Sequence, residues 1–401
     1  MEQIRGYFPA AGTRRHSTEQ RGDMNPRHWF WRGGVMKNRR WPGKSELHPR
    51  LTDRKRVGIT AVVSPSLNRR EFLSRAAGTS GAVATGLSTV AAEPGATTGV
   101  RSDRDGFSFA LDGNQVRIHA RGILRPVTVT IIADTHLFRD DVRGASFQSF
   151  SGRMSRAYNQ TRHFQTGEAT HPEKGFTDAL AAAREAHSDL LALVGDLVSF
   201  PSEAAVEWAM DRIHESGIPH LYTAGNHDWH YEGMEGSLDA LRETWIHRRL
   251  RPLYAGADPF QSSRDLAGIR VIAIDNSTYE ILPSQLKFYR DQVAAGLPTL
   301  LLVHIPLYAP GRPLGFGCGH PDWGSRTDRN AALERRVPWR EGGHTRTTLD
   351  FHREVFATQN LLGIVAGHIH RASLDVVRGI PQFVTDANAT GAYLKLDLLP
   401  G

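Results

Sequence analysis

The sequence predicts an α/β layered domain over residues 93–401, and two features of the chain favour this class. Short apolar runs of strand length alternate with amphipathic stretches of helix length from Phe107 onward. Polar motifs follow directly after five of these runs, where strand ends in α/β folds place functional side chains. No apolar run approaches the roughly 18 residues of a membrane-spanning helix, so we expect no stable span.

The elements can be assigned in chain order from these patterns. Strands are predicted at Val127–Ile132, Leu190–Val194, His220–Thr223, Arg270–Ile274, Thr299–Val303, Leu361–Val365 and Gln382–Thr385. Helices are predicted at Thr177–His187, Ser202–Ser216, Pro283–Ala295 and Leu349–Ala357. Alternation of the two kinds of element is what an α/β domain requires.

Two long segments, Leu137–Gly175 and Pro306–Arg346, show no clear periodicity. Segments of this length inside a compact domain are usually functional or disordered. We interpret them as a rim that selects the substrate, and the alternative is a pair of solvated insertions with scattered charge. The candidate rim residues are Arg139, Arg143, Arg153, Arg156, Arg162, Arg312, His320 and Trp323.

Five motifs stand immediately behind predicted strands. They are Asp134-Thr-His136, Gly195-Asp196, Gly225-Asn-His-Asp228, His304 and Gly367-His-Ile-His370. Each alone has a plain structural explanation, since Gly-Asp and Gly-Asn are common in turns and a lone His is more often packed or exposed. Turns do not explain five such motifs in succession. Carboxylate, imidazole and amide groups gathered in one place are typical of a transition-metal site.

In this order the motifs resemble those of the calcineurin-like metallophosphoesterase family, with none missing between Val127 and Ala392. The resemblance implies a four-layer α-β-β-α sandwich with a dinuclear metal site at the strand ends. It also implies two ligand sets that share Asp196 as a bridge between the ions. One set is Asp134, His136, Asp196 and His370, and the other is Asp196, Asn226, His304 and His368.

The implied cofactors are two divalent or trivalent transition-metal ions, and imidazole and carboxylate ligands suit Mn, Fe, Zn or Co. Such a pair binds phosphate oxygens and lowers the pKa of a shared water, so that a metal-bridging hydroxide attacks in line. By the family pattern, His227 is a candidate catalytic residue that donates a proton to the leaving alkoxide or stabilises the transition state. Asp228 is a second candidate, which either orients the loop or is a plain turn residue.

Departures from subfamily patterns narrow the implied substrate. Phe200 stands where protein Ser/Thr phosphatases have a phosphate-binding arginine, and Ser199 stands where purple acid phosphatases have a tyrosine. The motifs are more similar to those of bacterial cyclic-nucleotide and other small phosphodiesterases, and to DNA-repair exonucleases. We therefore expect a hydrolase of a small phosphate ester, with a nuclease or a non-catalytic metal- or phosphate-binding module as the alternatives.

The positive charge of the chain is concentrated at its front. Residues 1–92 hold 17 Lys and Arg against 6 Asp and Glu, a balance of +11, so the total of +7 leaves −4 for residues 93–401. A mildly acidic domain gives no support to nucleic-acid binding, and no nucleic-acid partner is expected. The single cysteine, Cys318, excludes an intramolecular disulfide.

The first 92 residues divide into two parts. Residues 1–63 are rich in Arg, Pro and Gly without apolar periodicity, which predicts a disordered basic leader. Residues 64–92 resemble a twin-arginine export signal, with Arg69-Arg70, then Phe72-Leu73, a weakly apolar stretch and small residues at its end. We expect the twin-arginine machinery to be a partner and the location to be extracytoplasmic. Because such signals normally begin near the N-terminus, Met36 is a candidate start.

Overall fold

In a computed structural model, the structure describes residues 106–158, 161–310 and 343–401, which form an α/β domain. Within these ranges there are fourteen strands, β1 Phe107–Asp112, β2 Gln115–Ala120, β3 Val127–Ile132, β4 Thr161–Arg162, β5 Ala169–Thr170, β6 Leu190–Val194, β7 His220–Thr223, β8 Gln261–Leu266, β9 Ile269–Ile274, β10 Thr299–Leu302, β11 Leu361–Ala366, β12 Ser373–Val377, β13 Ile380–Val384 and β14 Leu394–Pro400. The helices in the same ranges are α1 Gln148–Ala157, α2 Pro172–Glu185, α3 Glu203–Ser216, α4 Leu238–Trp245, α5 Pro283–Ala294 and α6 Arg346–Val355.

Two six-stranded sheets carry the fold. Their strand orders are β1-β2-β14-β3-β6-β7 and β12-β13-β11-β10-β9-β8. In the first sheet β3, β6 and β7 are parallel, and in the second β9, β10, β11 and β13 are parallel. Because parallel strands end at the same edge of a sheet, the loops that leave β3, β6 and β7 lie side by side, as do those that leave β10 and β11.

Side chains on opposite faces of the central strands belong to different apolar cores, and the described residues form three such cores. Ile131 of β3 and Leu302 of β10 belong to the core between the two sheets. Ile132, one residue on, packs instead against helices α2 and α3. Leu301 packs against helices α5 and α6 on the far side of the second sheet. Since strand side chains alternate between faces, this pattern gives the four layers of an α-β-β-α sandwich, and the predicted fold class is confirmed.

The helix ends show how local sequence sets the element bounds. Helix α3 begins at Glu203, one residue after the predicted start at Ser202, because the Ser202 side chain accepts a hydrogen bond from the Ala205 N–H as the N-cap. Helix α2 begins at Pro172, five residues before the predicted start at Thr177. Proline is well tolerated in the first turn, where its missing N–H has no intrahelical partner.

The first of the two long segments is more ordered than its lack of periodicity indicated. Residues 137–175 contain a 3₁₀ turn at Val142–Phe147, helix α1, the β4–β5 ribbon and the first turn of α2. Of the second segment, residues 311–342 lie outside the described ranges, as do the predicted leader and signal at 1–92. The rim candidates Arg312, His320 and Trp323 fall there too. Among the described residues, no helix is both long and apolar enough to cross a membrane.

Candidate metal centre

All five strand-end motifs converge at one edge of the two sheets. Two groups of side chains have potential ligand atoms within 4.8 Å of one another. One group is Asp134, His136, Asp196 and His370, and the other is Asp196, His304 and His368. Five of these six side chains are buried, and His370 is half-buried. The structure thus brings together side chains that lie up to 236 residues apart between Asp134 and His370.

Asp196 is the residue that the two groups share. Its Oδ2 lies 3.2 Å from Nε2 of His304 and 3.8 Å from Nε2 of His136. Its Oδ1 accepts a hydrogen bond of 2.7 Å from the backbone N–H of His227. One carboxylate oxygen therefore stands between imidazoles of both groups, which is the position that a bridging ligand needs.

Some polar atoms here lack the partners that buried groups normally have. Within the described part of the chain, His136 Nδ1 and Asn226 Oδ1 are buried without a hydrogen-bond partner. The Nε2 atoms of His136 and His370 face each other at 2.9 Å. Buried unpaired polar atoms are costly unless an ion or water satisfies them. The donor set of imidazole, carboxylate and amide oxygen fits Mn, Fe, Zn or Co.

Hydrogen bonds from the surrounding backbone hold these side chains in place. His304 Nδ1 lies 2.9 Å from the Val194 carbonyl, which favours a proton on Nδ1 and directs Nε2 toward Asp196. Both carboxylate oxygens of Asp134 accept from the His368 N–H, at 3.0 and 2.8 Å. The backbone of one motif thus orients the side chain of another.

The electrostatics of the cluster favour a bound cation. Burial lowers the pKa of His304, but the Asp196 carboxylate outweighs burial and raises it to about 9. Burial also lowers the pKa of His370, and the neighbouring Asp134 again reverses the shift. For His136 burial dominates, and the repulsion from His370 acts with it, so the pKa is well below its usual value. The two buried carboxylates thus give the cluster a negative potential, which favours positively charged partners.

Backbone strain is concentrated at the same residues. In the described ranges ten residues other than glycine have positive φ, and five of them are Asp134, His136, Asp196, His368 and His370. Such conformations cost about 1–3 kcal/mol each and cluster at functional sites, where the surrounding structure holds them. The strained backbone therefore indicates a functional site at these loops, and this indication does not depend on the side-chain types.

The motif glycines are required because backbone and carboxylate approach closely. A Cβ atom at Gly225 would lie 2.2 Å from Asp196 Oδ1 and 2.3 Å from the Asp196 N atom. At Gly367 it would lie 2.5 Å from Asp134 Oδ2. Each glycine thus allows one strand-end loop to pack directly on the carboxylate of another.

We expect Gly225→Ala to lower the free energy of unfolding by about 1–3 kcal/mol, because the methyl group overlaps Asp196. It should also displace Asp196 and reduce the bound metal. Chemical unfolding and elemental analysis measure the two effects. Gly152→Ala in helix α1 is the matched control: its Cβ has only a contact at 3.9 Å, so alanine should be neutral or stabilising by up to about 1 kcal/mol. Equal stability and metal content for both variants would contradict the close approach.

His227 and Asp228 take different positions. His227 is half-exposed beside the cluster, with its ring centroid 4.9 Å from that of His136. Asp228 is fully buried, and its two oxygens accept from the N–H groups of Val198 (2.9 Å) and Gly225 (2.7 Å). Burial raises the pKa of Asp228 to about 7, and the charge of Asp196 acts in the same direction. The geometry suits Asp228 to joining the loops after β6 and β7, and it suits His227 to facing a substrate.

Two tyrosines at the site were not anticipated from the sequence. The Tyr158 ring, at the end of α1, stacks on His136 with centroids 4.0 Å apart and planes within 9°. The Tyr279 hydroxyl lies 3.1 Å from Nε2 of His368. Tyr279 also has a positive φ of 66°. Neither tyrosine belongs to a spaced motif, and the only signal for Tyr158 was its place in a long insertion after the first motif.

Three of the arginines predicted to form a rim are paired within the chain itself. The pairs are Arg139 with Glu173, Arg143 with Asp141 and Glu207, and Arg153 with Glu232. Guanidinium groups that are already paired offer less charge to a substrate phosphate. These three arginines therefore support the rim interpretation less than their number suggested.

A four-layer sandwich with an Asp- and His-lined cluster at its strand ends defines the class of metal-dependent hydrolases. The sequence places the chain within that class, since residues 127–372 match the family model of the calcineurin-like phosphoesterases. The chain belongs to this family and is a metal-dependent phosphoesterase. The resemblance of its motifs to that family is thereby confirmed.

Solved structures with similar folds come from diverse sources. A dimetal phosphatase from Danio rerio has 12% identity and a TM-score of 0.42, over 67% of this chain and 91% of that one. A purple acid phosphatase from yellow lupin (Lupinus luteus) seeds has 14% identity and a TM-score of 0.40, over 69% and 46%. A putative 5'-nucleotidase from Staphylococcus aureus has 11% identity and a TM-score of 0.38, over 68% and 50%. No curated protein matches the chain significantly, and likenesses this remote give no information on its substrate.

Proposed function

We propose that this protein hydrolyses phosphate mono- or diesters of a small extracytoplasmic substrate, with two transition-metal ions as cofactors. The observation that supports this most is the position of Asp196. Its Oδ2 stands between His136 and His304, and it is the member common to both groups of potential ligands. A shared carboxylate at the centre of two such groups is what a dinuclear site requires.

The proposed ligands form two sets. The first set consists of Asp134, His136, Asp196 and His370, and the second consists of Asp196, Asn226, His304 and His368. The family pattern assigns Asn226 to the second set, and its buried Oδ1, which has no hydrogen-bond partner among the described residues, is free to bind an ion. Bound there, the ions would hold phosphate oxygens and lower the pKa of a water molecule between them.

The protein groups around the ions have separate proposed roles. His227, half-exposed next to His136, would hold a proton for the departing oxygen of the ester. Its backbone N–H donates to Asp196 Oδ1, so its position is tied to that of the shared carboxylate. Asp228 would keep the loop of His227 in register through its bonds to Val198 and Gly225.

The alternatives make different demands on the domain. A nuclease binds a phosphate backbone through a surplus of positive charge, whereas residues 93–401 carry −4. A non-catalytic binding module would tolerate the loss of a ligand or of His227, whereas every motif residue is present in this chain. Both observations favour a hydrolase of small esters.

Activity assays on the metal-loaded protein test this proposal. We expect hydrolysis of 4-nitrophenyl phosphate, of bis(4-nitrophenyl) phosphate or of both, and loss of activity with a chelator. Adding back Mn, Fe, Zn or Co should restore activity. A metal-loaded protein that cleaves neither ester would support the non-catalytic alternative, and rapid cleavage of single-stranded DNA with little cleavage of either ester would support a nuclease.

The extracytoplasmic location rests on the arginine pair Arg69 and Arg70. Replacing both residues with Lys should keep the protein in the cytoplasm, because the arginine pair defines this signal. Cell fractionation with immunodetection measures the effect. The same replacement at Arg39 and Arg40 is a matched control, since that pair is not followed by Phe-Leu and a weakly apolar stretch. Export of the variant altered at Arg69 and Arg70 at the normal level would mean that the segment is only a basic tail.

A further inference from the structure

A cavity of about 460 Å³ lies next to the candidate metal centre, between the edges of the two sheets. Its volume is within the range of small-molecule sites, which is roughly 300–1,000 Å³. Most of its lining is apolar, and the larger apolar side chains are Leu111, Phe164, Leu374, Phe383, Tyr393 and Leu394. None of these residues has a role in the proposed chemistry.

The cavity is open to solvent, and exposed apolar side chains form part of its wall. In the described ranges only five large hydrophobic side chains are exposed, and two of them, Leu111 (42%) and Phe164 (37%), line this cavity. Its inner wall is formed by buried residues such as Phe383 and Leu394. A solvent-accessible concavity with apolar walls is suited to an apolar ligand group.

Three connections place the cavity beside the metal centre. Ala372, in its wall, follows His370 by two residues, which limits their Cα separation to about 7 Å. Thr385, also in the wall, donates its N–H to the carbonyl of Ala366, two residues before His368. The Phe164 N–H donates to the Thr390 carbonyl, in the turn whose Ala389 N–H bonds to the Asp134 carbonyl.

Polar residues also line part of this space, namely Asn114, Gln165, Ser373, Thr385 and Asp386. They leave most of the wall apolar, so the cavity is suited to the apolar part of a ligand that also carries a polar group.

We propose that this cavity binds the apolar part of the substrate, an alkyl or aryl group esterified to the phosphate that the metal centre holds. This inference rests on the proposed function, because the metal centre would bind the phosphate group of the same substrate. It narrows the substrate class from small phosphate esters in general to esters of apolar alcohols.

Binding of non-hydrolysable phosphonates tests the inference without turnover. Methylphosphonate and hexylphosphonate are titrated calorimetrically into the metal-loaded full-length protein. Each methylene fully removed from water improves affinity about fourfold, so hexylphosphonate should bind at least about tenfold more tightly. Leu111→Glu and Phe164→Ala should remove most of that advantage and leave methylphosphonate affinity unchanged.

Leu124→Glu is the matched control, because Leu124 is 78% exposed and lies outside the cavity lining. It should keep the full advantage of the hexyl group. Equal affinities for the two phosphonates in the unmodified protein, no binding of either, or an advantage insensitive to both cavity variants would overturn the inference. Phe164→Ala and Leu111→Glu test it independently, so misfolding of one variant leaves the other informative.

The same experiment separates this inference from the proposed function. If the protein cleaves no phosphate ester but the advantage of hexylphosphonate depends on Leu111 and Phe164, the cavity assignment stands and the hydrolase proposal fails. If esters are cleaved but the two phosphonates bind equally, the hydrolase proposal stands and the cavity assignment fails.

Discussion

An Asp196→Asn protein is expected to keep its fold but to lose both metal ions and about 10³-fold or more in activity. The change preserves the shape of the side chain and removes its charge. Since Oδ2 lies between His136 and His304, one substitution weakens both ligand sets at once. Loss of the ions removes several kcal/mol of transition-state stabilisation, and about 4 kcal/mol corresponds to this factor in rate.

Elemental analysis and ester hydrolysis should be measured on the same preparations. His304→Ala, which alters the second set only, should lose mainly one ion, whereas the unmodified protein should bind about two. Asp265→Asn is the matched control, because Asp265 is an exposed carboxylate paired with Arg270 on β9, and it should change neither quantity. Normal metal content and activity in the Asp196→Asn protein would exclude Asp196 as the bridge.

The strands that carry the site were predictable because they are buried on both faces. Strands β3, β6 and β7 have the bounds that their apolar runs indicated, and each run ends at or just before a polar motif. A strand with helices on one side and a second sheet on the other reads as a continuous apolar run. The same burial places the following loop at the sheet edge, and the resemblance of the motifs to the family pattern predicted which candidate ligands lie together.

Strand β8, at the edge of the second sheet, was not assigned because its sequence carries little signal of its own. Strand β8, Gln-Ser-Ser-Arg-Asp-Leu, has one apolar residue in six and forms through its antiparallel pairing with β9. Edge-strand preference depends on the partner strand more than on intrinsic propensity. Helix α1 has few apolar residues, and only Ser151 and Met154 in it are buried.

The parts of the site that escaped sequence analysis come from loops that only the tertiary fold brings near. Tyr158 stacks on His136, and Tyr279, in the loop that leaves β9, contacts His368. Neither residue stands directly behind a strand or has a characteristic spacing. Outer contacts of this kind orient the residues that bind a metal. Their side-chain type alone gives no indication of that role, since a tyrosine in a loop is usually a packing residue.

His227→Ala is expected to lose about 10²–10⁴-fold in activity on an alkyl phosphate ester and distinctly less on a nitrophenyl ester. A proton donor matters most when the departing oxygen is a poor leaving group, and nitrophenolate leaves without a proton. Metal content should stay normal, because the contact of His227 with Asp196 is made by its backbone N–H, which alanine retains.

The leaving-group comparison distinguishes His227 from the proposed ligands. His136→Ala should lose activity on both esters together with bound metal, since its ring belongs to the cluster. His214→Ala, an exposed histidine on α3, is the matched control and should behave like the unmodified protein. Equal losses for His227→Ala on the two esters, with normal metal content, would show that His227 binds phosphate or stabilises transition-state charge instead of donating a proton. If only His227→Ala loses more activity on the alkyl ester than on the nitrophenyl ester, His227 is the residue that donates the proton to the leaving group.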